Sequence, residues 1–214
     1  MVILDSLIQF PTVDSMADDG LVALGGNLLP ATLLKAYQRG IFPWYNEGEP
    51  ILWWCPNPRC VLFPQQLKVS KSMQVIIKKN HFRFTVNKAF AAVINNCKIV
   101  NLQKHDGTWI SDDITKAYNH LHLLGHAHSA EAWLGNELVG GLYGIQIGKV
   151  FFGESMFSKV SNASKFAFIQ YVQLLQSKGI QIIDCQMPTN HLKSLGAIMI
   201  QRKDFIDLLN KYCT

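Results

Sequence analysis

The sequence predicts a mixed α/β protein of the α+β type, and three observations carry that reading. Residues 126–134, 137–147 and 149–157 read as three strands, with Gly135-Asn136 and Gly148 marking the tight turns of an antiparallel meander. A long helix follows, capped by Ser161 or Asn162, with Phe166, Ile169, Val172 and Leu175 on one face and Gly179 at its end. After it come a strand through Gln186, a helix through Leu195, a strand at 198–200 and a last helix from Asp204. A polar stretch from Lys98 to Gly107 is the expected boundary, dividing the chain into domains 1–105 and 106–214.

The first half is read in the same way. Gly25-Gly26 is a turn, because no Lys-Ser/Thr pair or third spaced glycine makes it a phosphate loop. Pro30 suits the first turn of a helix through Leu33, Leu34 and Tyr37 that Gly40 closes. The aromatic and proline-rich stretches 42–45 and 51–59 favour rigid irregular structure, and their Trp44, Trp53 and Trp54 suit either a core staple or a stacking wall. Ser72 is placed to cap a helix with Met73, Ile76 and Ile77 on one face; Phe82, Phe84 and Val86 alternate as a strand. A helix with Phe90, Val93, Ile94 and Cys97 in its stripe follows Asn87, and Ser111 starts another whose Ile114, Tyr118 and Leu121 are core-spaced.

Composition limits the function classes. With 214 residues, 49% of them hydrophobic, the chain can bury a large core, and no apolar run is long enough to cross a bilayer. The apolar start, Met1 to Phe10, lacks a basic leader and is interrupted by Asp5, so a cytoplasmic protein is expected. Five irregularly spaced cysteines do not suggest a disulfide framework. The net charge of +5 is unevenly spread: from Pro50 to His105 there is no Asp or Glu, while Arg59, Lys68, Lys71, Lys78, Lys79, Arg83, Lys88, Lys98 and Lys104 contribute nine positive charges. Interleaved with Trp53, Trp54, Phe63, Phe82 and Phe84, they point to a nucleic-acid backbone, with contacts expected from Arg59 through Lys88.

The chemical centre is expected where carboxylates interrupt apolar strands, since an unpaired buried carboxylate is costly. Glu154 lies within 150–157, and Asp184 and Gln186 follow Ile180, Ile182 and Ile183. At strand period Asp184 and Gln186 share a face and Cys185 points away. The histidines 120, 122, 126 and 128 lack metal-ligand spacing, and neither Ser155 nor Cys185 has the surroundings of a nucleophile. No metal is therefore expected.

A longer set of motifs resembles a known family. Gly25-Gly26, residues 36–44 (Ala-Tyr-Gln-Arg-Gly-Ile-Phe-Pro-Trp), Ile51-Leu52-Trp53-Trp54, Gly107-Thr108-Trp109-Ile110, residues 125–129, Gly153-Glu154-Ser155-Met156-Phe157-Ser158 and Asp184-Cys185-Gln186 closely resemble the bacterial leucyl/phenylalanyl-tRNA–protein transferases. The resemblance implies a small N-terminal α/β domain and a C-terminal domain similar to GCN5-related N-acetyltransferases. It implies an aminoacyltransferase that moves Leu or Phe from Leu-tRNA or Phe-tRNA to the N-terminal Arg or Lys of a protein, creating an N-degron for degradation. No cofactor is implied, and no membrane partner; a monomer is expected. The glycine-free stretch 158–163 also disfavours CoA, because a pyrophosphate cradle needs close backbone approach. By the same resemblance Asp184 and Gln186 match a catalytic pair and Glu154 an active-site acid. Trp44, Trp109, Leu142, Phe151, Gly153, Phe168, Tyr171, Leu175 and Ile183 match the donor amino-acid and adenosine sites. Such an apolar pocket suits large side chains unbranched at Cβ, which makes Met-tRNA a weak donor. Two other classes stay open: an acyl-CoA N-acetyltransferase, and an RNA-binding protein without turnover.

Overall fold

The computed structural model describes residues 2–4, 9–12, 19–104 and 108–213. The Asp5 interruption and the expected boundary at 105/106 lie outside these residues. Two sheets organise the chain. The smaller has the order β1-β2-β4-β3, formed by Val2–Leu4, Leu21–Gly25, Leu52–Trp54 and Phe42–Pro43. The larger has seven strands in the order β11-β5-β10-β9-β8-β7-β6: Ile198–Ile200, Arg59–Leu62, Ile182–Gln186, Val150–Ser158, Glu137–Ile147, Ala127–Leu134 and Arg83–Val86. Strands β6 to β9 are antiparallel neighbours, as the alternation and tight turns require. Strands β9 and β10 are parallel, joined through helix α5 (Ala163–Ser177).

The sheets do not divide the chain at residue 105. Both β5 and β6 come from the expected first domain yet pair within the larger sheet, so the change of sheet falls between Trp54 and Arg59. The physical reason is visible in β5, whose four residues are all buried between β11 and β10. One core also joins the two sheets: Val22, Ala23 and Trp53 of the smaller share it with Tyr143, Ile145 and Phe152 of the larger. Helices α1 (Pro30–Tyr37), α3 (Phe90–Lys104), α4 (Asp112–Leu123) and α7 (Arg202–Tyr212) contribute Tyr37, Val93, Tyr118 and Phe205 to that core. On the sheet's other face α5 and α2 (Lys71–Lys78) pack Phe168, Tyr171 and Met73 with Leu142, Phe151 and Ile183. A short helix α6 (Asn190–Ser194) adds Leu192 to this second core.

Several local expectations are corrected. Helix α2 is capped by Ser70, whose Oγ accepts from the Met73 backbone N–H, so Ser72 lies within the helix. Helix α3 runs through Lys104, because Val93, Ile94 and Cys97 anchor it and its polar end continues the same turns. The aromatic stretches form β3 and β4, paired Phe42 to Trp54 and Pro43 to Trp53; proline sits in a two-residue strand where it interrupts little. Asn162 holds the N-cap position of α5 at φ 66° without a side-chain cap bond, and the Ser158 hydroxyl accepts from the Ser164 N–H instead. Ser111 caps α4 as expected, accepting from the Ile114 N–H. Among the described residues no helix is long and apolar enough to cross a membrane.

Candidate active site

Two irregularities in neighbouring strands create the site. In the β8–β9 pair Tyr143 faces Ser155 and Gly144 faces Gly153, so Glu154 is an extra residue in β9. In the β5–β10 pair Val61 faces Asp184 and Cys60 faces Gln186, leaving Cys185 as the extra residue in β10. Such bulges bend a strand and redirect its side chains. Strands β9 and β10 pair only from Ile182–Val150 to Asp184–Phe152, so Glu154 and Gln186 lie just past the last paired residues. The extra residue breaks the two-residue period that put Asp184 and Gln186 on one face. Gln186 takes φ 58°, and its side-chain Nε2 donates to Glu154 Oε1 at 2.9 Å.

Asp184 is fully buried and does different work. Its carboxylate accepts from Arg59 Nε at 2.8 Å and Nη2 at 2.7 Å, a bidentate ion pair in which both side chains are fully buried. Oδ1 also accepts from the Gln186 backbone N–H at 3.0 Å, fixing the left-handed turn. The Arg59 guanidinium lies 4.8 Å from the ring centroids of both Phe42 and Phe205. Arg59 therefore does not belong with the tRNA-facing bases: an ion-pair partner 125 residues away draws it into the core. Lys68, Lys71, Lys78, Lys79, Arg83 and Lys88 are exposed, and Arg83 lies over Trp133.

Glu154 is enclosed by phenols. Tyr37 of α1 donates to Oε1 at 2.7 Å, Tyr118 of α4 donates to Oε2 at 3.1 Å, and the two hydroxyls also touch each other. The residue keeps some exposure where cavities meet it, but burial of its carboxyl pushes it up to about 7, against the opposing pull of the two tyrosine bonds. Burial, reinforced by Glu154, holds Tyr37, Tyr118 and Tyr143 well above the usual phenol range. The Tyr143 hydroxyl is buried without a hydrogen-bond partner.

Two cavities meet at Glu154, Gln186 and Met187. One, about 240 Å³, is walled by Leu142, Gly153, Met156, Phe168, Ile183 and Leu192. It exceeds the roughly 150 Å³ in which an apolar cavity holds a benzene ring, so a phenyl or isobutyl group fits. Of the expected pocket residues, Phe151, Tyr171 and Leu175 do not line it; they are buried behind it, with Phe151 and Tyr171 packed edge to face at 5.1 Å. The other cavity, about 220 Å³, is lined by Phe42, Trp44, Trp54 and Trp109. The Trp54 Nε1–H donates to the Trp44 carbonyl, tying this aromatic wall together. The sequence reading missed Tyr37, Tyr118, Met156 and Met187 as site residues; the two tyrosines stood at core-spaced positions, where a buried hydroxyl needs a partner.

Among the described residues no group of three or more His, Cys, Asp or Glu is arranged to hold a metal. His122 stacks on Phe90 at 4.2 Å, and His128 contacts Asn87. Ser155 and Cys185 have no adjoining histidine in their hydrogen bonds; the Cys185 thiol donates to the Ile183 carbonyl.

Comparison with known proteins bears on this geometry. A family profile described as leucyl/phenylalanyl-tRNA protein transferase matches residues 61–210, and its N-terminal domain profile matches residues 26–57. A leucyl/phenylalanyl-tRNA–protein transferase from Hydrogenovibrio crunogenus is 53% identical, over 94% of this chain and 79% of its own length. Those from Syntrophus aciditrophicus and Christiangramia forsetii are 50% and 52% identical, covering 97% and 94% of this chain and 87% and 96% of theirs. Among solved structures, L-PGS from Bacillus licheniformis aligns at 10% identity and a TM-score of 0.45, over 78% of this chain and 55% of its own.

Proposed function

Because this chain belongs to the leucyl/phenylalanyl-tRNA–protein transferase family and is an enzyme with that activity, we propose a division of labour for its site. The family implies an aminoacyl-tRNA donor and a protein acceptor. The cavity walled by Leu142, Phe168 and Ile183 takes the donor's Leu or Phe side chain, and the Trp44–Trp109 cavity takes the terminal adenosine by stacking. The acceptor's N-terminal Arg or Lys enters beside Glu154 and Gln186, where the cavities meet. The observation that carries this reading is that junction: a carboxyl and an amide stand between an apolar cavity of the right size and an aromatic one.

The chemistry asks little of the protein. The α-amine attacks the ester carbonyl carbon, the C–N bond forms, the C–O bond to the ribose breaks, and one proton passes from nitrogen to the ribose oxygen. An α-amine of pKa about 7.7–8.0 is partly neutral near pH 7, and holding it against the ester supplies on the order of 7–11 kcal/mol. The Gln186 Nε2 bond to Glu154 turns the amide so that its Oε1 is free to accept from the amine. Asp184 acts on this group through the backbone: it sets the Gln186 turn and is itself neutralised by Arg59. A larger C-terminal part of acetyltransferase type, beginning after a break near residues 55–58, is consistent with the β9-α5-β10 crossover and the change of sheet there.

The test is incubation with Leu-tRNA or Phe-tRNA and peptides beginning with Arg, Lys or Ala, followed by peptide mass. Gain of one Leu or Phe residue by the Arg and Lys peptides alone is expected. Equal modification of the Ala peptide, or an acetyl group gained from acetyl-CoA instead, overturns the reading.

A further inference from the structure

The contacts around Glu154 pose a problem of proton number. Three oxygen pairs are close: Glu154 Oε1 with the Tyr37 hydroxyl at 2.7 Å, Glu154 Oε2 with the Tyr118 hydroxyl at 3.1 Å, and the two hydroxyls with each other. Each pair needs one proton between its oxygens. With Glu154 ionised, the two phenols supply only two, both donated to the carboxylate, and the Tyr37–Tyr118 contact is left as two facing lone pairs. With Glu154 protonated the count closes. The Tyr118–Oε2 bond then runs the other way: Oε2–H donates to Tyr118, Tyr118 donates to Tyr37, and Tyr37 donates to Oε1, so all three bonds run in one direction around a ring. Gln186 supports the same placement, because its Nε2 donates to Oε1 and leaves Oε2 as the oxygen that carries the proton.

We propose that Tyr37 and Tyr118 are positioning residues that keep Glu154 a neutral carboxylic acid in the empty site and release its proton when a cationic acceptor takes the proton's place. On ionisation the proton leaves to solvent, Tyr118 turns to donate to Oε2, and the carboxylate faces the incoming ammonium or guanidinium group. Among the described residues no group does this. The groups facing Glu154 are Tyr37 from α1, Tyr118 from α4, Tyr143 from β8, Gln186 and Asp184 from β10, and Arg59 from β5. Arg59 is committed to Asp184 by two hydrogen bonds, so the nearest cation and the nearest anion cancel and the carboxyl sees chiefly phenols. Burial raises this carboxyl to about 7 even with both phenols taken as donors to it, and the ring reverses one of those two bonds. The site thereby avoids holding an uncompensated anion until its substrate supplies the counter-charge.

Removing either phenol has a signed effect. In the ring the acid loses a bond on each side of the missing hydroxyl, whereas the ionised site loses one bond and is relieved of the facing lone pairs, so Tyr37→Phe or Tyr118→Phe lowers the midpoint. The inference rests on the acceptor reading above only for the release step, and two measurements keep them apart. Infrared difference spectra of the free enzyme between about pH 6 and about pH 8 read the carboxyl directly. A protonated-carboxyl C=O band should disappear as pH rises, be missing from Glu154→Gln, and disappear at lower pH in both Phe variants. A band missing from wild type at about pH 6, or a midpoint unchanged or raised in both Phe variants, overturns the ring. Calorimetry of an Arg-initiated peptide in two buffers of different ionisation enthalpy then counts protons. Wild type should release roughly half a proton or more beyond Glu154→Gln near neutral pH. Equal release by the two overturns the release step. Loss of peptide binding with the infrared pattern intact overturns the acceptor reading while supporting the ring.

Discussion

Substituting Asp184 by Asn should damage the fold before it damages the chemistry. The change removes one charge from a pair whose side chains are both fully buried, leaving the Arg59 guanidinium enclosed between Phe42 and Phe205 without an anion. Breaking a buried pair from one side typically costs about 3–5 kcal/mol. For a chain of this size each kcal/mol moves Tm by about 2–4 °C, so a fall of roughly 6–20 °C is expected. Calorimetric melting of Asp184→Asn, Arg59→Met and the double replacement Arg59→Met with Asp184→Leu measures it. The double variant should be more stable than the sum of the two losses allows, because it buries no lone charge. Some loss should remain, since Asp184 Oδ1 also accepts from the Gln186 N–H. Donor tRNA affinity should be unchanged in folded Arg59→Lys. A Tm for Asp184→Asn within about 2 °C of wild type, or simple addition of the two losses in the double variant, would refute the buried-pair account.

Other outcomes follow from the same contacts. Glu154 gains its folded-state proton affinity from burial, from an ordinary 4.5 to about 7, so folding should weaken as pH rises through that window by about 3 kcal/mol, and Glu154→Gln should abolish the slope. Gly144→Ala should cost about 3 kcal/mol or more in a denaturant melt, because the new Cβ would stand 2.1 Å from the Phe152 carbonyl oxygen, a backbone atom that cannot swing aside. Charge reversal at Lys78 and Lys79, both exposed, should weaken tRNA binding and flatten a log–log salt slope of roughly −3 to −4 by about one to two. Ile-tRNA should be a poorer donor than Leu-tRNA by about 1–3 kcal/mol in kcat/KM, since a Cβ branch meets the wall of the Leu142–Ile183 cavity; equal use would count against that pocket.

Local chemistry was legible in the sequence and pairings between distant elements were not. Ser111 announced α4 and the turns at Gly135-Asn136 and Gly148 announced the meander, because each acts on its own neighbours. Arg59 was misplaced for the opposite reason. Its position in an acid-free stretch is a local fact, whereas its burial is set by Asp184, which the chain brings to it through the β5–β10 pairing. Ser70 and Ser72 were indistinguishable by residue type, and only the Met73 N–H bond to Ser70 Oγ, with helix beginning at Lys71, decides that Ser70 is the cap. Of the expected pocket, Leu142, Gly153, Phe168 and Ile183 line the cavity, while Phe151, Tyr171 and Leu175 stand one layer behind, a distinction of depth that period alone does not carry.

The two acids of the site show why depth and pairing matter more than residue type. Asp184 and Glu154 stand on adjacent strands, Asp184 as the last paired residue of the β9–β10 ladder and Glu154 just past its end, and the sequence reading placed both at the chemical centre. Asp184 meets a guanidinium through two donated bonds, so its charge is spent on an ion pair inside the protein. Glu154 meets phenols and an amide, groups that satisfy a carboxyl in either protonation state but bring no charge. The proposed change of charge on substrate arrival therefore belongs to Glu154. The bulge that places Glu154 out of register turns it toward the cavities, and the bulge at Cys185 lets Gln186 reach it across the gap. Straightening either strand should uncouple the pair without touching either side chain: deleting Cys185 would restore the two-residue period and turn Gln186 away from Glu154.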